Sequence, residues 1–98
     1  MNKKFDNVKF SSGQTLITKG ISDLLTVGKL TTKEVNAALK EHFTGEWENL
    51  DPSDQAVNEE GARNKGMVMT VHNEQSHKFW IITDPGHEVT TVLLPSEY

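Results

Sequence analysis

The feature that most constrains this chain is the run Phe79-Trp80-Ile81-Ile82. It is apolar at consecutive positions, so a strand built from it has no polar face to turn to water. Such a strand belongs inside a sheet, covered on both sides. Its flanks supply neighbours. Before it, Met67, Met69 and Val71 alternate with Val68, Thr70 and His72, a period of two. After it, Asp84-Pro85-Gly86 fits a type II turn with Pro and Gly at its central positions. Glu88 to Leu94 then reads as a third strand, rich in Val and Thr, which Pro95 stops. With Asn73 to His77 as the polar turn between the first two, the last third of the chain predicts three antiparallel strands.

The residues before this sheet carry helical signals. Thr18 caps a short helix with Ile21, Leu24 and Leu25 on one face, ended by Gly28. Thr31 and Glu34 form a capping box for a second helix. Its apolar stripe is Val35, Leu39, His42 and Phe43, and Gly45 stops it. Asp51 caps a third helix with Pro52 at its first position. Only Ala56 and Val57 are clearly apolar there, so it predicts a mostly solvated helix, weakened at Gly61 and closed at Gly66. Further upstream, Thr15-Leu16-Ile17 is an extended candidate and Val8 with Phe10 an edge strand, separated by the turn Ser11-Ser12-Gly13. The expectation is one α+β domain over residues 1–98, with two or three short helices packed on a three- to five-stranded antiparallel sheet. The second face of the central strand would be covered by a segment from residues 5–17 or by a second copy of the chain, a homodimer.

Composition narrows the chemistry. The 98 residues include no cysteine, which excludes disulfides, zinc–thiolate sites and cysteine nucleophiles. No run of about 18 apolar residues is present to span a membrane. Met1 to Phe10 lacks the apolar core of a secretion signal, so a cytoplasmic protein is expected. The net charge of −4 is unevenly spread. Residues 1–40 hold seven Lys and three acids, whereas residues 41–60 hold seven acids and no Lys or Arg. An acidic middle argues against binding to a phosphate backbone over the whole surface and favours a partner with a basic surface.

The candidate partner-binding residues are Glu46, Trp47, Glu48, Asp51 and Asp54, which lie between and at the start of helices where they can gather on one face. Trp47, in a loop, is the aromatic best placed to anchor an interface; its alternative role is to plug the side of the domain. Trp80 reads as core. His72 and His77 flank the first hairpin turn, with Glu74 nearby. They are open to three readings: solvated turn residues, metal ligands, or an acid–base pair for metal-free RNA cleavage, with Tyr98 as a possible third member. His42 reads as a core histidine or as a buried acid–base near Trp47. Phosphate loops, HExxH and serine elbows are absent, and no cofactor is expected.

From His42 onward, Thr44-Gly45-Glu46-Trp47, Asn58, Gly66, Trp80-Ile81-Ile82-Thr83 and Thr90-Thr91-Val92-Leu93-Leu94-Pro95-Ser96-Glu97-Tyr98 resemble the small "plasmid-related" proteins of bacterial plasmids, integrating elements and phages. The resemblance covers residues 42–98 and departs from that family at Pro85-Gly86-His87. It implies a setting, a mobile genetic element, and no reaction. The function expected is therefore a non-enzymatic accessory that binds a host macromolecule, such as an anti-restriction or anti-CRISPR inhibitor. The alternative is a small metal-independent RNA-cleaving enzyme of toxin type that uses the turn histidines.

Overall fold

The computed structural model describes residues 8–11, 13–73 and 77–98. The elements run in the order β1 (Gln14–Ile17), α1 (Lys19–Thr26), α2 (Thr32–Thr44), α3 (Pro52–Asn64), β2 (Val68–His72), β3 (Phe79–Thr83) and β4 (Val89–Leu93), with a final 3-10 turn over Pro95–Glu97. Three helices pack on a four-stranded sheet of order β1-β4-β3-β2, an α+β fold. The three C-terminal strands are antiparallel, with Thr70 opposite Ile81 and Ile81 opposite Val92. The fourth strand corrects the all-antiparallel expectation. β1 joins β4 in parallel, Thr15 beside Thr90; the chain leaves β1 through α1, α2 and α3, re-enters the sheet at the far edge as β2, and returns through β3 to β4. Val8 and Phe10 do not form the expected edge strand. Lys9 donates its N–H to the Phe43 carbonyl at 2.7 Å, and the Phe10 ring turns inward. Residues 5–7 of the proposed covering segment lie outside the described residues.

Local chemistry accounts for the helix ends. The Thr31 hydroxyl accepts the Glu34 N–H at 3.1 Å while the Glu34 carboxylate accepts the Thr31 N–H at 2.9 Å. Asp51 accepts the Asp54 N–H at 3.0 Å at the start of α3. α1 is capped twice, by the Thr18 hydroxyl and by the distant Glu97 carboxylate, which takes the Gly20 N–H at 2.9 Å. The Thr18 hydroxyl, the Leu94 N–H and the Gly20 N–H all donate to Glu97 and hold its carboxyl below the usual carboxylate range. α3 passes through Gly61 without breaking and ends at Lys65. The glycine serves packing: a Cβ there would stand 2.3 Å from the Met67 carbonyl oxygen, so only glycine lets α3 lie this close to β2.

The alternation of the strands divides the sheet into two faces. Val68, Thr70, Phe79, Ile81, Thr83, Thr90 and Val92 are buried beneath the helices. One apolar cluster joins Ile21, Leu30, Val35 and Ala38 to Phe79, Ile81 and Val92. A second joins Phe10, Phe43, Trp47 and Val68. The opposite face carries Met69, Val71, Trp80 and Ile82, with the Tyr98 ring edge-on to Trp80 at 5.6 Å.

α3 closes the outer edge of β2. The Asn58 side-chain amide donates to the Met69 carbonyl at 2.8 Å and accepts the Met69 N–H at 3.1 Å, as a neighbouring strand would. Asn49 Nδ2 reaches the next outward carbonyl, that of Val71, at 3.4 Å.

Candidate functional site

Trp47 is buried, 3% exposed, which corrects its expected role as an exposed anchor. Gly45 ends α2 in the left-handed conformation at φ 82° and turns the chain back over the helix end. The indole then packs with Phe10, Phe43 and Val68. Its N–H donates at 3.1 Å to the His42 carbonyl, one of the last four carbonyls of α2 and so without an intrahelical partner.

The acids around it are exposed. Glu46 and Glu48 flank the buried indole, and Asp51 and Asp54 open α3. Glu41, on the last turn of α2, has its carboxyl raised above the usual range, first by burial and then by the charges of Glu46 and Glu48. These three carboxylates therefore share one electrostatic neighbourhood. Asp51 is held below its usual range by the Asp54 N–H and the Ser53 hydroxyl that it accepts. Two other acids of the run are paired with bases: Glu59 with Lys9 at 3.4 Å and Glu60 with Arg63 at 2.8 Å. Among the described residues no Lys or Arg pairs with Glu46, Glu48, Asp51 or Asp54.

Beside Asp54 runs an apolar groove of about 330 Å³. It lies between α3 and the outward face of β2, and Leu50, Val57, Met67, Met69 and Val71 line it. Val57 is 65% and Met67 41% exposed.

Behind the acidic face is a polar network within the core. His42 is fully buried, with Nδ1 at 2.7 Å from Thr70 Oγ1 and Nε2 at 2.9 Å from Thr83 Oγ1. Thr70 Oγ1 also lies 2.7 Å from His72 Nε2, and Thr83 Oγ1 lies 2.8 Å from Thr90 Oγ1. His72 Nδ1 faces Glu41 Oε1 at 3.5 Å. Burial pushes His42 down to about 3, with the neighbouring His72 and His87 adding to the effect. Burial alone pushes His72 down to about 4. Both rings are neutral at pH 7, and each therefore has one donor and one acceptor nitrogen. Nδ1 of His72 is the ring nitrogen that faces the Glu41 carboxylate, an acceptor, and a proton placed there sets the direction of every other bond. Nε2 of His72 then accepts from Thr70, Thr70 accepts from His42 Nδ1, and His42 Nε2 accepts from Thr83. The whole chain of bonds points from Thr90 towards Glu41. It emerges in a shallow depression of about 220 Å³ lined by Glu34, Glu41, His72 and Asn73.

These positions separate the residues grouped for RNA cleavage. His72 is buried on the helix side of the sheet, whereas Tyr98 rests on Trp80 on the opposite side. His72 and Tyr98 therefore lie on opposite faces of the sheet. Glu74, the third candidate ligand beside the turn histidines, lies outside the described residues. Among the described residues no three His, Cys, Asp or Glu side chains are grouped to hold a metal ion.

His87 had no assigned role in the sequence. It is buried, with Nε2 at 2.8 Å from the Gly66 carbonyl and its ring 5.0 Å from that of Phe10. Thr70, Thr83 and Thr90 were likewise unmarked, though one signal was present. They share the alternation of Val68, Ile81 and Val92, so they are polar residues at core positions.

Fold and site together define a small α+β protein with an exposed carboxylate face, an adjoining apolar groove and a histidine–threonine network inside. Among the described residues no helix is long and apolar enough to cross a membrane. No protein-family model matches the chain, and neither the curated proteins nor the solved structures contain a match.

Proposed function

We propose that this chain is a non-enzymatic accessory protein of a mobile genetic element, one that acts in the cytoplasm by binding a host macromolecule through its acidic face. The partner is a protein or nucleoprotein with a basic surface, and a nucleic-acid-handling defence complex of the restriction or CRISPR type fits that chemistry. The observation that carries this reading is the pair of exposed acids Glu46 and Glu48 beside Glu41, whose carboxyl is raised first by burial and then by their charges, with no Lys or Arg among the described residues paired to them. Such crowding costs stability in the free protein and is relieved when a cationic surface docks. The resemblance of residues 42–98 to plasmid-related proteins supports the mobile-element setting.

The test is a transformation assay in bacteria with an active restriction or CRISPR system. Expression of the protein should restore the efficiency with which a targeted plasmid is established. The variant E46Q/E48Q/D51N/D54N should lose that effect, while Asn at position 51 preserves the helix cap. Equal protection by the variant would show that this is the wrong surface. No protection against either type of system would remove the anti-defence reading.

A further inference from the structure

We infer that the groove between α3 and β2 receives the apolar stripe of a basic amphipathic helix on the partner. This inference rests on the reading of a basic partner given above and supplies what that reading lacks, an anchor. With Trp47 in the core, no aromatic among the described residues stands on the acidic face. The apolar contact must come from partner side chains entering a recess on this chain.

The groove has the properties of such a recess. Val57 stands on α3, whose buried residues are Asn58 and Gly61, so it faces outward beside the groove rather than inward to the core. Met69 and Val71 project from β2 on the side away from α2, and Leu50 and Met67 add to the lining. Two of the five apolar side chains are methionines, which adapt to irregular partner surfaces. The volume of about 330 Å³ suits one or two large aliphatic or aromatic side chains.

Charge complementarity chooses the occupant's sign. Asp54 lines the groove, Asp51 lies one helical turn before it and Glu48 precedes them, all exposed. Among the described residues no Lys or Arg lines it. A segment with an apolar stripe flanked by Lys or Arg meets both surfaces at once.

The closed edge of β2 chooses the occupant's conformation. Asn58 already occupies both the N–H and the carbonyl of Met69, and Asn49 reaches the carbonyl of Val71. An added strand would find both main-chain groups of Met69 and the carbonyl of Val71 already taken. An extended segment laid against Leu, Val and Met walls would leave its own backbone groups unpaired, which is costly. A helix satisfies its backbone internally and presents only side chains.

The test uses the full chain and two synthetic probes, a Leu/Lys amphipathic helical peptide and an oligolysine of equal charge, with affinities read by fluorescence anisotropy. The Leu/Lys peptide should bind more tightly than oligolysine. V57S/M67S and, separately, V57W, which fills the groove, should each weaken it by about tenfold and leave oligolysine unchanged. Both positions are exposed, so circular dichroism should report an intact fold. If the Leu/Lys peptide binds no better than oligolysine, or ignores these substitutions, the groove assignment is overturned while the acidic-face reading stands. If neither probe binds, both fall. A Leu/Glu peptide that binds as well as Leu/Lys would overturn the charge argument.

Discussion

His42 and His72 are joined through a single hydroxyl: Thr70 Oγ1 lies 2.7 Å from His42 Nδ1 and 2.7 Å from His72 Nε2. With the His72 proton on Nδ1, the side that faces Glu41, the shared hydroxyl transmits the same tautomer to His42. Both rings should carry their proton on Nδ1, the less common form of a neutral imidazole in water. Long-range nitrogen–proton correlation spectra at pH 7 check this directly. The expected pattern is a protonated Nδ1 and a bare Nε2 for each ring; the reverse in either ring would break the derived chain of bonds.

The network should make the fold acid-sensitive. A free imidazole titrates near 6.5. Folded values of about 3 for His42 and about 4 for His72 mean that the unfolded chain takes up protons first. Stability is therefore intact above about pH 6.5 and declines as pH falls, until His72 titrates at about 4 and His42 at about 3. Glu41 acts in the opposite sense, since its raised pKa favours the folded state on protonation. With two histidines against one carboxyl, the net effect at pH 5 relative to pH 7 is a loss on the order of 3 kcal/mol. Urea unfolding at the two pH values measures it, and equal midpoints would contradict it.

Thr70→Val removes the shared hydroxyl at nearly constant shape. It leaves His42 Nδ1 and His72 Nε2 buried without a partner, at a cost of about 2–4 kcal/mol in unfolding free energy. Thr91→Val, on the same sheet but the opposite face and only half buried, should change stability by less than about 0.5 kcal/mol. Similar effects from the two substitutions would mean that the network contributes little.

Asn58→Ala strips both hydrogen bonds from Met69 and should cost about 1–3 kcal/mol. It also exposes the edge of β2, so light scattering should show self-association that grows with concentration. A variant that stays as dispersed as the parent would mean that the edge needs no closure by α3.

Substituting Gln for Glu46 and Glu48 removes the two charges that raise Glu41. A carboxyl-carbon titration by NMR should then find the Glu41 pKa lower than in the parent protein, though still raised by burial. An unchanged pKa would show that the three carboxylates do not share one face.

What was legible in the sequence was local. The capping box at Thr31 and Glu34, the Asp51-Pro52 helix start and the Pro85-Gly86 turn each involve neighbours a few residues apart, and each formed where its residue types required. So did the alternation of β2 and the interior place of β3. What was not legible depends on distant partners. The parallel pairing of Gln14 with Val89 has no local signature. Trp47 is buried only because the Gly45 turn delivers it to Phe10 and Val68, which are distant from it in the sequence on either side. Thr70, Thr83 and Thr90 have the usual preference of threonine for strands, so their place in the core alternation was an ambiguous sign until His42 was seen between two of them. Asn58 likewise looked like one more polar residue on a solvated helix.

The central claim is that the exposed carboxylates of residues 46–54 are the docking surface. It is tested most directly by the affinity of the purified protein for a purified restriction or CRISPR complex that the proposed transformation assay identifies, measured at low and high salt. The account predicts tight binding that weakens steeply with salt for the parent, and weak, nearly salt-independent binding for E46Q/E48Q/D51N/D54N. Parent and variant that bind with the same affinity and the same salt dependence would contradict it.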